Sequence, residues 1–445
     1  MVNISEFMAS VYQFLSERQI EGKSGQQYQF SLPADIQFPA LDWLASQQFY
    51  PQFYWHHRDG HEEVALLGEV KHFTNIVDAE QFLQQQSATT TMRIWGLNAW
   101  QPLPDNEYYA GFVGDESYLF LPRVEFRYCQ ERWILAVNII DQQDLPHALQ
   151  FLAELQLVKP ISPLNSHIKQ VQHLPEYQQW RDLTTQAVQL INSGVMDKVV
   201  IARQTDIQLT KPLNAASLMS ASKTVNRQCY HFMLSFNAQH TFLSATPERL
   251  YYRKFQQLYT EALAGTVVNS SDQAIRQTYS DWLMNDDKNQ HENRLVVEDI
   301  CQRLQNNCEK ISVSSPDIIL LRKIQHLRRL IRVTLRDASD SDCLNRLQPT
   351  AAVAGVPRKT AKHFLQQNEP ICRGWYAGSA GYLSLNQSEF VVSLRCAHLN
   401  DDHLRLYAGA GIVNDSDPWQ EWLEVENKAA GLQTLLNKET FCCES

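Results

Sequence analysis

Six charged side chains in four separated stretches are of types that could do chemistry: Lys198, Glu248, Glu292, Glu421, Glu424 and Lys428. Glu421, Glu424 and Lys428 fall at i, i+3 and i+7, so on a helix two carboxylates and an ammonium share one face. Asp415-Ser416-Asp417-Pro418 marks where that helix starts, an N-cap candidate followed by proline at the first helical position. A second acidic stretch, residues 286–293, leads into an apolar helical run with Leu295, Val296 and Ile300, which leaves Glu292 as the carboxylate nearest the core. Two helix-borne glutamates from distant parts of the chain could hold a hard, oxygen-seeking ion such as magnesium and leave positions for water and an anionic substrate. Taken singly, each stretch reads more readily as a solvated charged face.

Glu248 lies where an apparent strand, Thr241 to Ala245, ends at the turn Thr246-Pro247, and loop ends on rigid strands commonly carry catalytic groups. A surface ion pair with Arg249 is the competing reading. Residues 197–203 set Lys198 against an apolar strand. Two stretches of small residues, 260–266 and 407–412, read as turns whose glycines admit a ligand close to the backbone. The second is no dinucleotide fingerprint, because Asn414 stands where the third glycine would fall.

These features recur in one order. They are Lys198, Pro-Glu-Arg at 247–249, Glu-Ala-Leu-Ala-Gly-Thr at 261–266, Lys288 with Glu292, and Pro-Thr-Ala-Ala-Val-Ala-Gly at 349–355. Gly-Trp-Tyr-Ala-Gly at 374–378, Arg395 after a strand, Tyr-Ala-Gly-Ala-Gly-Ile at 407–412 and Glu-x-x-Glu-x-x-x-Lys at 421–428 complete the set. The set resembles the chorismate-utilising enzymes over residues 170–435. That resemblance implies Mg2+ held by Glu292 and Glu424 with Glu421 close by. It also implies a chorismate site made by Thr266, Tyr376, Arg395, the Gly409 and Gly411 backbone, and Lys428. By the same resemblance Lys198 is the base and Glu248 the general acid of an isochorismate synthase, in which water adds at ring carbon 2 as the hydroxyl leaves carbon 4. Such an acid must stay protonated, which calls for an apolar or anionic setting.

Within the family, Ala264 stands where aminodeoxychorismate synthases can carry a lysine nucleophile, and so leaves room for water. The anthranilate synthase patterns Pro-Ile-Ala-Gly-Thr and Leu-Leu-Glu-Ser are absent, so no glutaminase subunit is expected. The resemblance is nearest to isochorismate synthases of the menaquinone pathway. A salicylate synthase, which would go on to eliminate pyruvate, and a non-catalytic chorismate-binding relative stay open. Three positions depart from the family: Gln348 and Asn293, where most or many members have histidine, and Asn289, where some carry an acid.

The elements that must position these groups belong to a chain of 445 residues, 44% hydrophobic and 20% charged, which can bury a large core. A net charge of -10 argues against a nucleic-acid binder. The densest basic stretch, Arg322 to Arg332, carries Leu321, Ile324, Leu327, Leu330 and Ile331 at spacings that predict a helix with one apolar face. Residues 1–15 do not read as a signal or transit peptide, and no apolar run is long enough for a membrane span. Nine cysteines without a Cys-x-x-Cys pair suit reduced thiols, Cys442 and Cys443 being incidental. A cytoplasmic monomer or homodimer is expected.

Helical patterns cover 6–15, 147–155, 177–192, 214–223 and 273–306. Strand patterns at 49–55 and 62–70 flank Asp59-Gly60, a hairpin signal, and 118–128 with 132–140 reads as a second hairpin. Further strands are expected at 198–209, 230–236, 241–245, 257–260, 382–385, 390–399 and 404–408. The proline-bearing stretch 158–164 is the candidate boundary between an N-terminal region, 1–160, and a catalytic region, 170–435. Hairpins outnumber crossovers, so antiparallel or mixed sheets faced by helices are expected. With the resemblance, this is an α+β fold with a central sandwich and helices outside.

Overall fold

The structure, a computed structural model, describes residues 4–436 apart from 20–24, 34, 35, 89, 107 and 110. Cys442 and Cys443 lie outside the described residues. All strand pairings are antiparallel. From Lys198–Leu209 the ladder runs through His403–Ile412, Cys396–Asn400, His240–Thr246, Tyr230–Ser235, Gln52–His56 and Glu63–Phe73 to the long strand Ser117–Cys129. There the sheet forks: residues 124–129 pair with Arg132–Ile139, and residues 117–120 with Ile94–Asn98. Pro122 stands at the fork, and its nitrogen has no proton to give to a ladder. The second branch continues through Ser379–Leu383, Gln387–Val392, Arg249–Lys254, Gln257–Val268 and Ile324–Leu335. Strands of the N-terminal region therefore pair directly with strands of the catalytic region, Gln52–His56 with Tyr230–Ser235 and Ile94–Asn98 with Ser379–Leu383.

Alternation decides what each strand buries. Phe53 and Trp55 enter a cluster with Trp95, Phe232 and Tyr382, which packs the sheet before the fork against its second branch. Tyr54, pointing the other way, joins Leu67, Phe126 and Met233 against helix residues Phe7, Leu41 and Leu218. Both faces are thus buried, which is why these strands read as nearly continuous apolar runs. Each such side chain contributes about 1.5–3 kcal/mol by its burial.

Five expectations need correction. Arg322 to Arg332 is no helix but leads into the strand Ile324–Leu335, in which Leu327, Ile331, Val333 and Leu335 are buried while Leu330 stands 43% exposed. Its apolar spacing of three imitates a helical face, yet a helix would have buried Leu330 as well. The helical stretch 273–306 is two helices, Gln273–Asn285 and Asp287–Leu304, because Asp286 stops one and caps the next by accepting the Asn289 N–H. The stretch 260–266 is not a turn but part of the strand Gln257–Val268, bulged between Leu263 and Thr266. Likewise 407–412 continues the strand His403–Ile412. Finally, 390–399 divides into Gln387–Val392 and Cys396–Asn400, with Arg395 at φ +47 between them.

Candidate active site

Lys198 opens its strand fully buried, and the register Val200↔Gly411 and Ala202↔Gly409 lays the two glycines alongside. Their smallness is spatial need. A Cβ at Gly411 would stand 2.5 Å from Glu292 Oε1 and 3.0 Å from Lys198 Cε, and one at Gly409 would stand 2.7 Å from the Tyr376 hydroxyl. Lys198 Nζ donates to Glu292 Oε1 at 2.9 Å. Burial alone would raise the Glu292 carboxyl, but Lys198, with Lys428 and Lys288 beyond it, holds it below its ordinary value.

Glu248 sits between the strands His240–Thr246 and Arg249–Lys254 and is only 2% exposed. The surface ion pair with Arg249 does not form, since that guanidinium turns to Glu389 and the Tyr230 hydroxyl, each at 3.0 Å. Burial first, and repulsion from Glu261 second, push the Glu248 carboxyl up to about 8 against the pull of Lys198, Lys428 and Arg395. It is therefore mostly protonated at neutral pH. The cavity it faces is lined by Val200, His326, Tyr376, Arg395, Gly409 and Lys428.

Lys428 joins this cavity to a neighbouring cleft by donating to Gly409 O at 2.9 Å while meeting Glu424 Oε1 at 2.6 Å. The cleft holds Thr266, Lys288, Glu292, Gly411, Glu421 and Glu424. Its acids arrive on two helices, Asp287–Leu304 and Pro418–Gln433, the latter capped as expected by Asp417 with Pro418 in its first turn. Glu421 is 4% exposed; burial and then Glu424 push its carboxyl up to about 7, although Lys288 donates to it at 3.3 Å. A divalent cation would relieve that repulsion, and all-oxygen donors suit magnesium. The three glutamates do not close tightly by themselves. Among the described residues, the only His, Cys, Asp or Glu trio with ligand atoms within 4.8 Å of one another is His57, Asp59 and His61. The glutamates thus suit a cation that keeps several waters. At the histidine trio, His57 Nδ1 accepts the Asp59 N–H at 3.1 Å and Nε2 meets Glu389 at 3.4 Å, so both ring nitrogens are engaged.

Sequence reasoning missed His326, hidden in the stretch taken for a helix. Its Nε2 lies 2.9 Å from Arg395 Nη2, which can only donate, so the ring proton is assigned to Nδ1, facing Thr266 Oγ1 at 3.2 Å and Gly265 O at 3.3 Å. Burial, then Arg395 and Lys428, hold His326 well below its ordinary range and therefore neutral. Asn289 accepts the Thr266 N–H at 3.0 Å. Asn293 donates to Ala262 O, Ala264 O and Leu327 O, fixing its helix to two strands. Tyr376 stacks on Tyr407, with ring centroids 5.3 Å apart. Gln348 lies away from the Glu248 cavity, donating to Ala99 O at 2.7 Å, while Ala352 and Val353 from the same motif line that cavity.

A buried amine and a buried, protonated acid beside an anion-accepting arginine and a carboxylate cleft can carry acid–base chemistry on a small anion. A family model described as chorismate binding enzyme matches residues 13–437. Isochorismate synthase MenF of Escherichia coli is 49% identical over 411 residues, 92% of this chain and 93% of the relative. A solved structure described as MenF, the menaquinone-specific isochorismate synthase from Escherichia coli, superposes with a TM-score of 0.91 at 46% identity, covering 97% of this chain and 99% of that one. Anthranilate synthase component I from Streptococcus pneumoniae, at 19% identity and a TM-score of 0.64 over 94% of each chain, shares the fold.

Proposed function

The chain belongs to the family of chorismate-binding enzymes, and from that premise we propose that it is an isochorismate synthase serving menaquinone synthesis. The observation that carries this reading is the 49% identity to an isochorismate synthase along nearly the whole of both chains. The buried amine of Lys198 and the proton-bearing carboxyl of Glu248 agree with it.

In this reading Lys198 takes a proton from water as the oxygen bonds to carbon 2 of chorismate. Glu248 gives its proton to the hydroxyl leaving carbon 4, which departs as water, so one water enters and one leaves. Arg395 suits a substrate carboxylate because its planar fork bonds two oxygens. Neutral His326, holding one nitrogen of that fork, orients it without adding charge. Tyr376, Thr266, Lys428 and the Gly409 and Gly411 backbone complete the substrate site. Glu292 and Glu424, with Glu421 beside them, would hold Mg2+, whose chemistry is to neutralise and orient a carboxylate of the substrate.

Water rather than ammonia is the incoming nucleophile, so no glutaminase subunit is required. No helix among the described residues is long and apolar enough to cross a membrane, and the described cysteines are free thiols, in keeping with work in the cytoplasm.

Incubation of the purified protein with chorismate and Mg2+, followed by chromatography of the products, tests the activity. Isochorismate should accumulate without pyruvate in a coupled lactate dehydrogenase assay. Release of pyruvate would instead identify a salicylate synthase, and binding without turnover a non-catalytic relative.

A further inference from the structure

We propose that Arg58, at the tip of the N-terminal hairpin, is a positioning residue for the Glu248 carboxyl, working with Glu261 to fix the backbone on both sides of it. The inference rests on Glu248 being the acid of the proposed reaction. Arg58 lies about 190 residues from Glu248 in the chain and outside the stretch that carries the family motifs. Its guanidinium grips Glu261 with both arms, Nη1 to Oε1 at 2.6 Å and Nη2 to Oε2 at 2.9 Å. Nη1 also donates to Pro247 O at 2.8 Å. Glu261 Oε1 in turn accepts the Arg249 N–H at 2.7 Å. The carbonyl just before Glu248 and the N–H just after it are thus held by one buried ion pair, and the carbonyl of Glu248 itself accepts the Val392 N–H at 3.0 Å. Three restraints around one residue fix its backbone, and with it the direction in which the Glu248 side chain leaves the chain.

The pair's members are 8% and 1% exposed at their side chains, so neither is a surface ornament. Breaking such a pair leaves an uncompensated buried charge. Glu261 also faces Arg328 Nη1 at 3.8 Å, and Tyr230 lies under the Arg58 guanidinium. Glu248 faces Glu261, Lys198, Lys428 and Arg395, with neutral His326 on the same cavity. Glu261 is the one group in that set whose charge favours the protonated acid. Arg58 anchors the Glu261 charge in place, so the contact that holds the backbone of the acid also holds the second influence, after burial, on its proton affinity.

The test uses the full-length enzyme with R58K, R58A, E261Q and E248Q. R58K keeps the charge and loses the fork; its kcat should fall about 10-fold, and that of R58A about 100-fold, with KM near the wild-type value. The protonated carbonyl band of Glu248, recognised in infrared spectra as the band lost in E248Q, should titrate at lower pH in E261Q and near its wild-type midpoint in R58K. Unchanged kcat in both Arg58 variants, or an unmoved Glu248 midpoint in E261Q, would overturn the proposal. Thermal unfolding of each variant excludes simple loss of folded protein; should R58A not fold, R58K and E261Q still decide. Full activity in E248Q would remove the acid assignment, whereas the infrared midpoint still reads whether the clamp acts on Glu248.

Discussion

Lys198 Nζ donates to Glu292 Oε1 across 2.9 Å, joining the first residue of a strand to a helix 94 residues further along the chain. The contact ties the proposed base to the proposed metal cleft, so the two cannot be altered independently. Replacing Lys198 with alanine removes the amine and one positive neighbour of Glu292. Loss of a positioned base should lower kcat by roughly 10²–10⁴. Steady-state kinetics on folded K198A checks this; a loss smaller than threefold would exclude Lys198 as the base.

Glu248 makes the pH dependence specific. An acid catalyst must carry its proton, and this carboxyl is pushed up to about 8 by burial and by Glu261. Activity should therefore hold through neutral pH and fall about tenfold per unit above that value. The stability consequence has the same sign. A folded pKa above the unfolded one means stability fully present below the unfolded value near ~4.3 and lost as pH rises through about 8. E248Q, which cannot ionise, should lose its alkaline stability penalty, so its unfolding temperature relative to wild type should rise between pH 5 and 9. A constant difference across that range would contradict the buried, proton-bearing acid.

Local signals made the carboxylate helix legible. Asp417 and Pro418 fix where it starts, and Glu421, Glu424 and Lys428 then fall on one face by helical geometry alone. The Asp59-Gly60 hairpin was legible for the same reason. What escaped was non-local. His326 sat in a segment whose apolar residues recur every three positions, and its pairing with Gln257–Val268 on one side and with Cys308–Val313 and Asp317–Leu320 on the other makes it a strand. Glu261 appeared as part of a turn, because a bulged strand and a small-residue loop share the same composition. Arg58 carried no signal, since its partners lie 189 and 203 residues away.

The carboxylate cleft predicts a pH-dependent metal site. Glu421 is pushed up to about 7 by burial and by Glu424, so below that pH it gains a proton and the cleft loses negative charge. Mg2+ affinity measured by titration calorimetry should weaken from pH 8 to pH 6. Glu292→Gln and Glu424→Gln should each weaken it about 10- to 100-fold, and a chelator should abolish turnover reversibly. Turnover unaffected by the chelator would remove magnesium from the mechanism.

Gly411 supplies a test of the site's tight packing. A methyl group there meets the Glu292 carboxylate oxygen at 2.5 Å, well inside contact distance, and the Lys198 stem at 3.0 Å. The backbone of Gly411 lies in an extended ladder opposite Val200, so alanine itself is conformationally acceptable in the strand. The penalty must therefore be taken by Glu292 and Lys198, which have to move off the added methyl and so disturb their contact. Gly411→Ala should fold, with an unfolding temperature within a few degrees of wild type, yet lose about 100-fold in kcat/KM with weakened Mg2+ binding. A fully active alanine variant would mean that the Lys198–Glu292 contact is dispensable for turnover.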